Sequence, residues 1–263
     1  MSARQELGRL EASGLIQIAA LQPELEYLFR HALVQEAAYA SLLKQDRRAL
    51  HKAAAEAILA LHPDRRREFA PVVAMHLEQA GENAKAAEYL VLAGEHALER
   101  FANKEAVAFF QRAIELIGDS QPDIRLRAAI GAAKAGWTFT ATGREVAELE
   151  SAVARGEQGD PQLVIDAYFW IAYMRRQRGE LPESSPELKR ALDRAVEIGG
   201  SLKDSRGSAL PRALMGSYAA FLGNLRDGAT QMQSALDDLE DQADPLSSAM
   251  IADFLAITYA RMG

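Results

Sequence analysis

Cysteine is missing from all 263 residues of this chain. Disulfide bonds and thiolate metal sites are therefore excluded, and nothing in the composition points to an oxidising compartment. No uninterrupted apolar run approaches the ~18 residues that a membrane-spanning helix requires, and the first ten residues carry alternating charges instead of a signal-peptide core. We therefore expect a cytoplasmic protein that does not insert into a membrane.

An excess of basic residues is also missing. The chain has 30 lysines and arginines against 37 aspartates and glutamates, which gives a net charge of −7. A general nucleic-acid binder needs a face that neutralises phosphates, so protein or small-molecule partners are favoured over nucleic acid. The arginine clusters that begin at Arg47, Arg65 and Arg175 each have acidic neighbours. We interpret them as solvated faces with local salt bridges.

Motifs for catalysis are absent from the sequence as well. There is no G-x-x-x-x-G-K-S/T loop to cradle ATP, no supported Ser/His/Asp order and no recognisable pair of carboxylates in a cleft. Five histidines lack the spacing of a metal motif, and we interpret them as packing or capping residues: His31, His51, His62, His76 and His96. The chain is therefore expected to be no enzyme and to hold no metal and no cofactor.

The composition favours helices. Aromatic residues are only 7% of the chain, and the hydrophobic 49% is dominated by alanine and leucine instead of the β-branched residues that build sheets. A length of 263 residues is more than one ordinary core accommodates easily. We therefore predict an all-α protein, built either as two compact domains or as one extended array of helical repeats.

Regularly placed small residues favour the array. Four glycines that are expected to end helices are each preceded, seven residues earlier, by a small residue that lets neighbouring helices approach closely. The small residues are Gly136, Ala172, Gly216 and Ala256, and the glycines are Gly143, Gly179, Gly223 and Gly263. Asp160-Pro161, Ser185-Pro186 and Asp244-Pro245 each supply an N-cap acceptor and a proline for the next helix start, and Gly118, Gly156 and Gly199-Gly200 supply stops.

A second stripe of small, large and small residues follows at i, i+4 and i+7. It contains Ala106-Phe110-Ala113, Ser184-Leu188-Ala191 and Gly228-Met232-Ala235, whereas one unit fits only after a one-residue slip, as Ala147-Ser151-Ala154. Twelve residues separate the small residues of the two stripes, for example Gly216 and Gly228. This pattern resembles the tetratricopeptide repeat, a helix-turn-helix unit. The spacings of 36 to 44 residues exceed the usual ~34, so HEAT-like helix pairs remain an alternative.

The first 44 residues do not fit the repeat. They predict a helix that ends at Gly14, a strand from Leu15 to Ala19, a turn with Pro23 and a second strand from Leu25 to Arg30, which together form the later part of a winged helix. The runs "YLFRHALVQEAAYASLL" and "HLEQAGENAKAAEYLVLAGEHAL" resemble the region after the P-loop module in bacterial STAND/AAA-type signalling ATPases. Some members of that family carry a class III adenylate or guanylate cyclase domain.

The resemblance implies two domains and a larger parent protein. We expect a partial winged-helix segment at 1–44 with a short β-hairpin, followed by a tetratricopeptide-like superhelix at 45–263 that is truncated within its last repeat. Ten helices are predicted between residues 66 and 262. The alanine-rich helix from His31 to Leu43 is predicted to be a buried joint, wedged between the hairpin and the first helices of the array.

The first helices of successive units line the inner face of such a superhelix. Counting from the glycines that end these helices places Trp137, Tyr173, Ser217 and Ile257 at equivalent positions, and Ala220 and Asp253 are among their neighbours. The six residues that we select as the binding strip of the groove are Trp137, Phe169, Tyr173, Arg176, Ser217 and Phe221. The alternative interpretation is that Trp137 and Tyr173 only fill gaps between units.

Two functions follow from this interpretation. The first is a non-enzymatic regulatory segment that binds a protein or peptide along the concave face, or the parent protein's own ATPase or cyclase domains. The second is a superhelix like that of the maltose-regulon activators, in which a small effector occupies the lumen. A peptide predicts an open channel, whereas a small effector predicts a closed pocket with aromatic stacking beside Trp137.

Overall fold

The computed structural model describes residues 3–20, 26–137, 143–201, 208–239 and 245–263. Across these residues the fold is all-α apart from one two-stranded hairpin, as predicted. The strands are β1 (Ile16–Ala20) and β2 (Glu26–Phe29). The helices are α1 (Ala3–Ala12), α2 (Ala32–Ser41), α3 (Lys44–Leu61), α4 (Arg66–Ala80), α5 (Asn83–Glu99), α6 (Asn103–Ile117), α7 (Pro122–Gly136), α8 (Gly143–Gly156), α9 (Pro161–Gln177), α10 (Pro186–Ser201), α11 (Ala209–Phe221), α12 (Leu225–Asp237) and α13 (Pro245–Met262).

The described residues before α3 form what we call the N-terminal unit, which contains α1, the hairpin and α2. The strands are antiparallel, with Ile16 opposite Phe29 and Ile18 opposite Tyr27. The predicted helix and hairpin are confirmed, and Leu15 precedes β1 instead of opening it. Pro23, expected in the turn, lies outside the described residues. Among the described residues of this unit, Ile16 alone is buried.

The prediction of a buried joint is wrong. The helix exists as α2, but none of its residues is buried, and Leu33 keeps 78% of its surface exposed. Its apolar character therefore does not come from being wedged between the hairpin and the array. The sequence shows which residues are apolar but not whether another surface covers them.

The remaining helices form what we call the helical array, α3 to α13. Each helix packs against the next one in the chain, and ten helices occupy the described residues between Arg66 and Met262, as predicted. The alternate helices α5, α7, α9, α11 and α13 also contact one another in series. The first helices of the predicted units therefore lie side by side in one row.

Small residues produce close helix contacts where the sequence predicted them. A Cβ atom added to Gly216 would lie 2.9 Å from the carbonyl oxygen of Gly228, and one added to Gly228 would lie 2.5 Å from that of Gly216. The twelve-residue step therefore marks a point where α11 and α12 meet backbone to backbone. In α5, a Cβ on Gly94 would lie 2.7 Å from the Phe110 ring of α6. That ring also occupies the space beside Gly131 of α7.

Helix ends follow the sequence signals in most places. Gly179 and Gly223 adopt positive φ angles after α9 and α11, and the Asp160 side chain accepts a hydrogen bond of 2.9 Å from the Gln162 N–H at the start of α9. Gly143 was expected to end a helix, but it begins α8, because α7 already ends at Gly136. The helix α10 continues through Gly199 and Gly200, which were predicted as stops, and Asp244 lies outside the described residues.

Two predicted stripes need correction. The buried hydrophobic residues described in α8 are Val146, Leu149, Ala152 and Val153, so the slipped stripe that starts at Ala147 is wrong. The amphipathic period of α8 places valine and leucine side chains in the core. A pattern of small residues does not identify such positions. Ser184 precedes α10 and is exposed, so the stripe there consists of Leu188 and Ala191 alone.

Candidate binding site

Aromatic side chains from α7, α9 and α13 converge on one cluster. Trp137 follows α7, while Phe169 and Tyr173 lie one turn apart on α9. The Trp137 and Tyr173 rings meet edge to face with centroids 5.8 Å apart, and the Phe169 and Tyr173 rings stack with centroids 6.0 Å apart. Phe254 of α13 lies 6.1 Å from Tyr173. Three of the six predicted site residues are thus in one aromatic cluster.

The cluster is mostly internal. Phe169, Tyr173 and Ser217 retain 1%, 4% and 5% of their surface, and the Ser217 hydroxyl donates to the Leu214 carbonyl of its own helix. The expected open strip is therefore wrong for these three residues, because their surfaces are already covered by neighbouring helices. Small residues let neighbouring helices pack closely. A side chain that points towards the inner face of the row is therefore covered by the adjacent helix. These side chains can support a site, but a ligand cannot reach them without a rearrangement.

Arg176 lies at the edge of the cluster, where its guanidinium packs over two aromatic rings. Its Cζ is 4.7 Å from the centroid of Phe254 and 5.6 Å from that of Tyr218, both within the range of cation–π contacts. Phe221, at the end of α11, is 55% exposed. Direct contact of Arg176 and Phe221 with a partner therefore stays a prediction.

Burial raises the pKa of both tyrosines at this edge above the ordinary value of about 10. Burial raises the pKa of Tyr173, although a hydrogen bond to Gln177 and the charge of Arg176 partly oppose it. Burial likewise raises the pKa of Tyr218, and the hydroxyl of Tyr218 has no hydrogen-bond partner among the described residues. Both phenols are protonated at physiological pH, so they are hydrogen-bond donors and not bases.

A pocket of about 530 Å³ opens next to Trp137, between α5, α6, α7 and α9. Its apolar walls are formed by Leu98, Phe101, Phe110, Ile130, Trp137 and Leu163. Of the six predicted site residues, Trp137 is the one that lines this pocket. Gly131 forms part of the wall, and the space that its missing side chain leaves is occupied by the Phe110 ring. The pocket therefore results from the same close packing that orders the array.

Charged groups of both signs surround the apolar walls. Arg127 of α7 pairs with Glu95 of α5 at 2.6 Å, and Glu99 pairs with Arg67. Lys134 and Asp166 also line the pocket. A mixed rim around an apolar interior suits a ligand with one apolar group and several polar ones, such as a peptide side chain with its backbone.

Phe101 is the most exposed large side chain at this pocket. It lies in the turn between α5 and α6, is 88% exposed and adopts a φ of 58°, a conformation that costs free energy for a residue other than glycine. Phe101 was not predicted as a site residue because the predicted groove residues all lie on helix faces. The signal was present as an aromatic residue where a helix-ending glycine is common.

The described residues contain neither a metal-binding group of side chains nor a membrane-spanning helix. Within them, no group of three or more histidine, aspartate or glutamate side chains is arranged to hold a metal ion. None of the helices, within the same residues, is both long enough and apolar enough to cross a bilayer. Comparison of the sequence with protein-family models and with curated proteins gives no match.

Proposed function

We propose that the chain is a non-enzymatic interaction segment that binds a partner protein through a short peptide stretch on the row formed by α5, α7, α9, α11 and α13. The observation that carries the proposal is the pocket beside Trp137, whose apolar walls can accept one side chain of the partner. Its charged rim offers hydrogen bonds to the peptide backbone on either side.

The serial contacts of alternate helices support a repeat superhelix of the tetratricopeptide kind, in which this row is the concave face. Gly216 and Gly228 support it as well, since they occupy matching positions in the two helices of one unit. In this proposal the chain belongs to a larger signalling ATPase, which the resemblance of the opening residues favours. The partner is then another protein or the parent's own ATPase or cyclase domain.

A small effector is the alternative, and the volume of the pocket favours it. About 530 Å³ lies within the range of roughly 300–1,000 Å³ that is typical of small-molecule sites. Trp137 lies beside the opening and offers a surface for stacking. Arg127, Lys134 and Asp166 would supply the polar contacts that orient such a molecule.

The fluorescence of Trp137 can be used to measure ligand binding in the pocket. The chain has two tryptophans, and Trp170 is buried in the cluster, so a ligand in the pocket should change the fluorescence of Trp137 alone. Peptides selected from a random displayed library are titrated into the intact chain, and a metabolite collection is screened by thermal shift. We expect selected peptides to bind with a fluorescence change that Trp137→Phe abolishes.

Variants then locate the site. Phe101→Ser and Lys134→Ala should weaken peptide binding on the order of tenfold, since each removes a wall or rim contact. Leu61→Ser is the matched control, because Leu61 is exposed at the end of α3, outside the row, and does not line the pocket. Equal affinity for all three variants would contradict the site. Recovery of a metabolite that competes at Trp137, with no peptide selected, would favour the effector instead.

A further inference from the structure

A chain of hydrogen bonds connects α2 to the helical array. The Nδ1 atoms of His51 on α3 and His76 on α4 are 2.8 Å apart, and the hydroxyl of Tyr39 on α2 is 3.0 Å from the Nε2 of His51. The rings also touch, with centroids 5.8 Å apart for Tyr39 and His51 and 5.1 Å for the two histidines. Three helices therefore meet at one polar relay, whereas the sequence predicted only separate packing or capping histidines.

The relay tolerates one proton but not two. With both imidazoles neutral, one Nδ1–H donates to the other Nδ1, and the Tyr39 hydroxyl can donate to or accept from His51 Nε2. A first proton on either ring preserves both bonds. A second proton places an N–H on each Nδ1, so the histidine–histidine bond is lost and two positive charges face each other. The Nε2–H of His51 still donates to Tyr39 in that state, so any release of α2 must come from the repulsion displacing the His51 ring.

The charges around the relay do not offset that repulsion. On α3, Arg47 packs over the Tyr39 ring at 5.2 Å, and Arg48 lies beside Gly81. Lys52, next to His51, donates to Glu82 at the start of α5 at 2.8 Å, so that carboxylate is already paired. Burial and the charge of a protonated His51 both lower the pKa of His76.

The helix α2 depends on this relay because little else holds it. It has ten residues with no buried side chain, and isolated helices shorter than about 12–15 residues are marginal in water. Tyr39 joins α2 to α3 through its hydrogen bond to His51 and its ring contact with Arg47. Loss of the Tyr39–His51–His76 geometry should therefore loosen α2 before it affects the array.

We propose that His51 and His76 form an acid-sensitive latch that fixes α2 and the adjoining hairpin to the array at neutral pH and releases them when both imidazoles are protonated. The sign follows from the charge states. A lowered histidine pKa means that the latched state is favoured above the ordinary histidine pKa of about 6.5 and is lost as the pH falls below it. The latch sets the orientation of the N-terminal unit independently of the pocket in the array.

Hydrogen exchange of the α2 amides tests the latch on the intact chain. Exchange of residues 32–41 is measured at about pH 7 and about pH 5 and corrected for the intrinsic rate. We expect α2 protection to fall on the order of tenfold at the lower pH, an effect of the size expected for about one lost hydrogen bond. Protection of α9 to α12 should remain unchanged, which separates release of α2 from global unfolding.

Three variants decide the outcome. Tyr39→Phe should show the low α2 protection already at pH 7, and His76→Gln should remove the pH step because a second charge can no longer form. His62→Gln is the matched control, since His62 stacks on Phe69 outside the relay and the step should persist. Equal α2 protection at both pH values in the unmodified chain, or a pH step retained in His76→Gln, would overturn the proposal.

Discussion

The N-terminal unit and the helical array both contain many apolar residues, but they differ in how many of those residues are buried. In the array, alanine and glycine draw helices together until large side chains such as Phe110 and Trp170 are enclosed. In the described part of the N-terminal unit, Ile16 alone is buried, and Leu28, Leu33 and Leu43 are more than half exposed. Apolar content therefore produces a core only where small residues permit close approach.

The difference also separates two kinds of stability. The array gains free energy from burial shared between successive helices, as expected for stacked helical units. The N-terminal unit has a two-stranded hairpin, which is marginal by itself, and a short helix that is held by polar contacts. Substitutions that are matched between the two regions should therefore have very different effects.

The largest contrast is expected between Phe110 and Leu33. Phe110 fills the space beside Gly94 and Gly131, so Phe110→Ala should leave a cavity and lower the free energy of unfolding by about 3–5 kcal/mol. Leu33→Ala should change it by less than about 0.5 kcal/mol, because Leu33 is exposed on α2. Urea denaturation of both variants measures the difference. Similar losses for the two would show that α2 is covered in solution.

A smaller contrast is expected between two glycines. Gly228→Ala places a methyl group against the Gly216 carbonyl and should cost about 1–3 kcal/mol through overpacking. Gly8→Ala in α1 meets no atom within 4 Å and should be neutral or stabilising by about 0.5–1 kcal/mol. Thermal unfolding followed by circular dichroism compares them. A tolerated Gly228→Ala would mean that α11 and α12 are farther apart than the structure has them.

Much of the fold was predictable because its signals are local. Asp160 before Pro161 predicts a helix start, and Gly179 and Gly223 predict helix ends, since each effect depends on a few neighbouring atoms. The step from Gly216 to Gly228 even predicts a contact between helices. Gly143 and Gly199 were predicted wrongly as helix ends, because a glycine can also begin or continue a helix when its surroundings allow it.

The candidate site was less predictable. Trp137 lines the pocket, but Tyr173 and Ser217, which were predicted to share its position in the repeat, are buried. Whether an inward position remains open depends on the side chains of the neighbouring helices, which the position itself does not specify. Phe101 and the His51–His76 pair were missed for the same reason, since each acquires its role from residues that are distant in sequence.

The smallest expected contrast concerns the helix starts of the two regions. At α9 the Asp160 carboxylate caps the helix, so Asp160→Ala should lower the free energy of unfolding by about 0.5–2 kcal/mol, while Asp160→Asn should retain most of the cap. At α2 the N-cap residue His31 has extended backbone angles suited to a cap but makes no side-chain cap bond.

An acidic cap at that position should therefore strengthen α2. His31→Asp supplies an acceptor for the first free N–H groups and a negative charge at the positive end of the helix dipole. Hydrogen exchange of residues 36–41 should slow several-fold at neutral pH, because α2 has no core contacts that already limit its opening. His31→Ala is the control and should not slow exchange. If His31→Asp also left exchange unchanged, contacts other than its first turn would limit the opening of α2, and the N-terminal unit would resemble the array more closely than its exposed surface indicates.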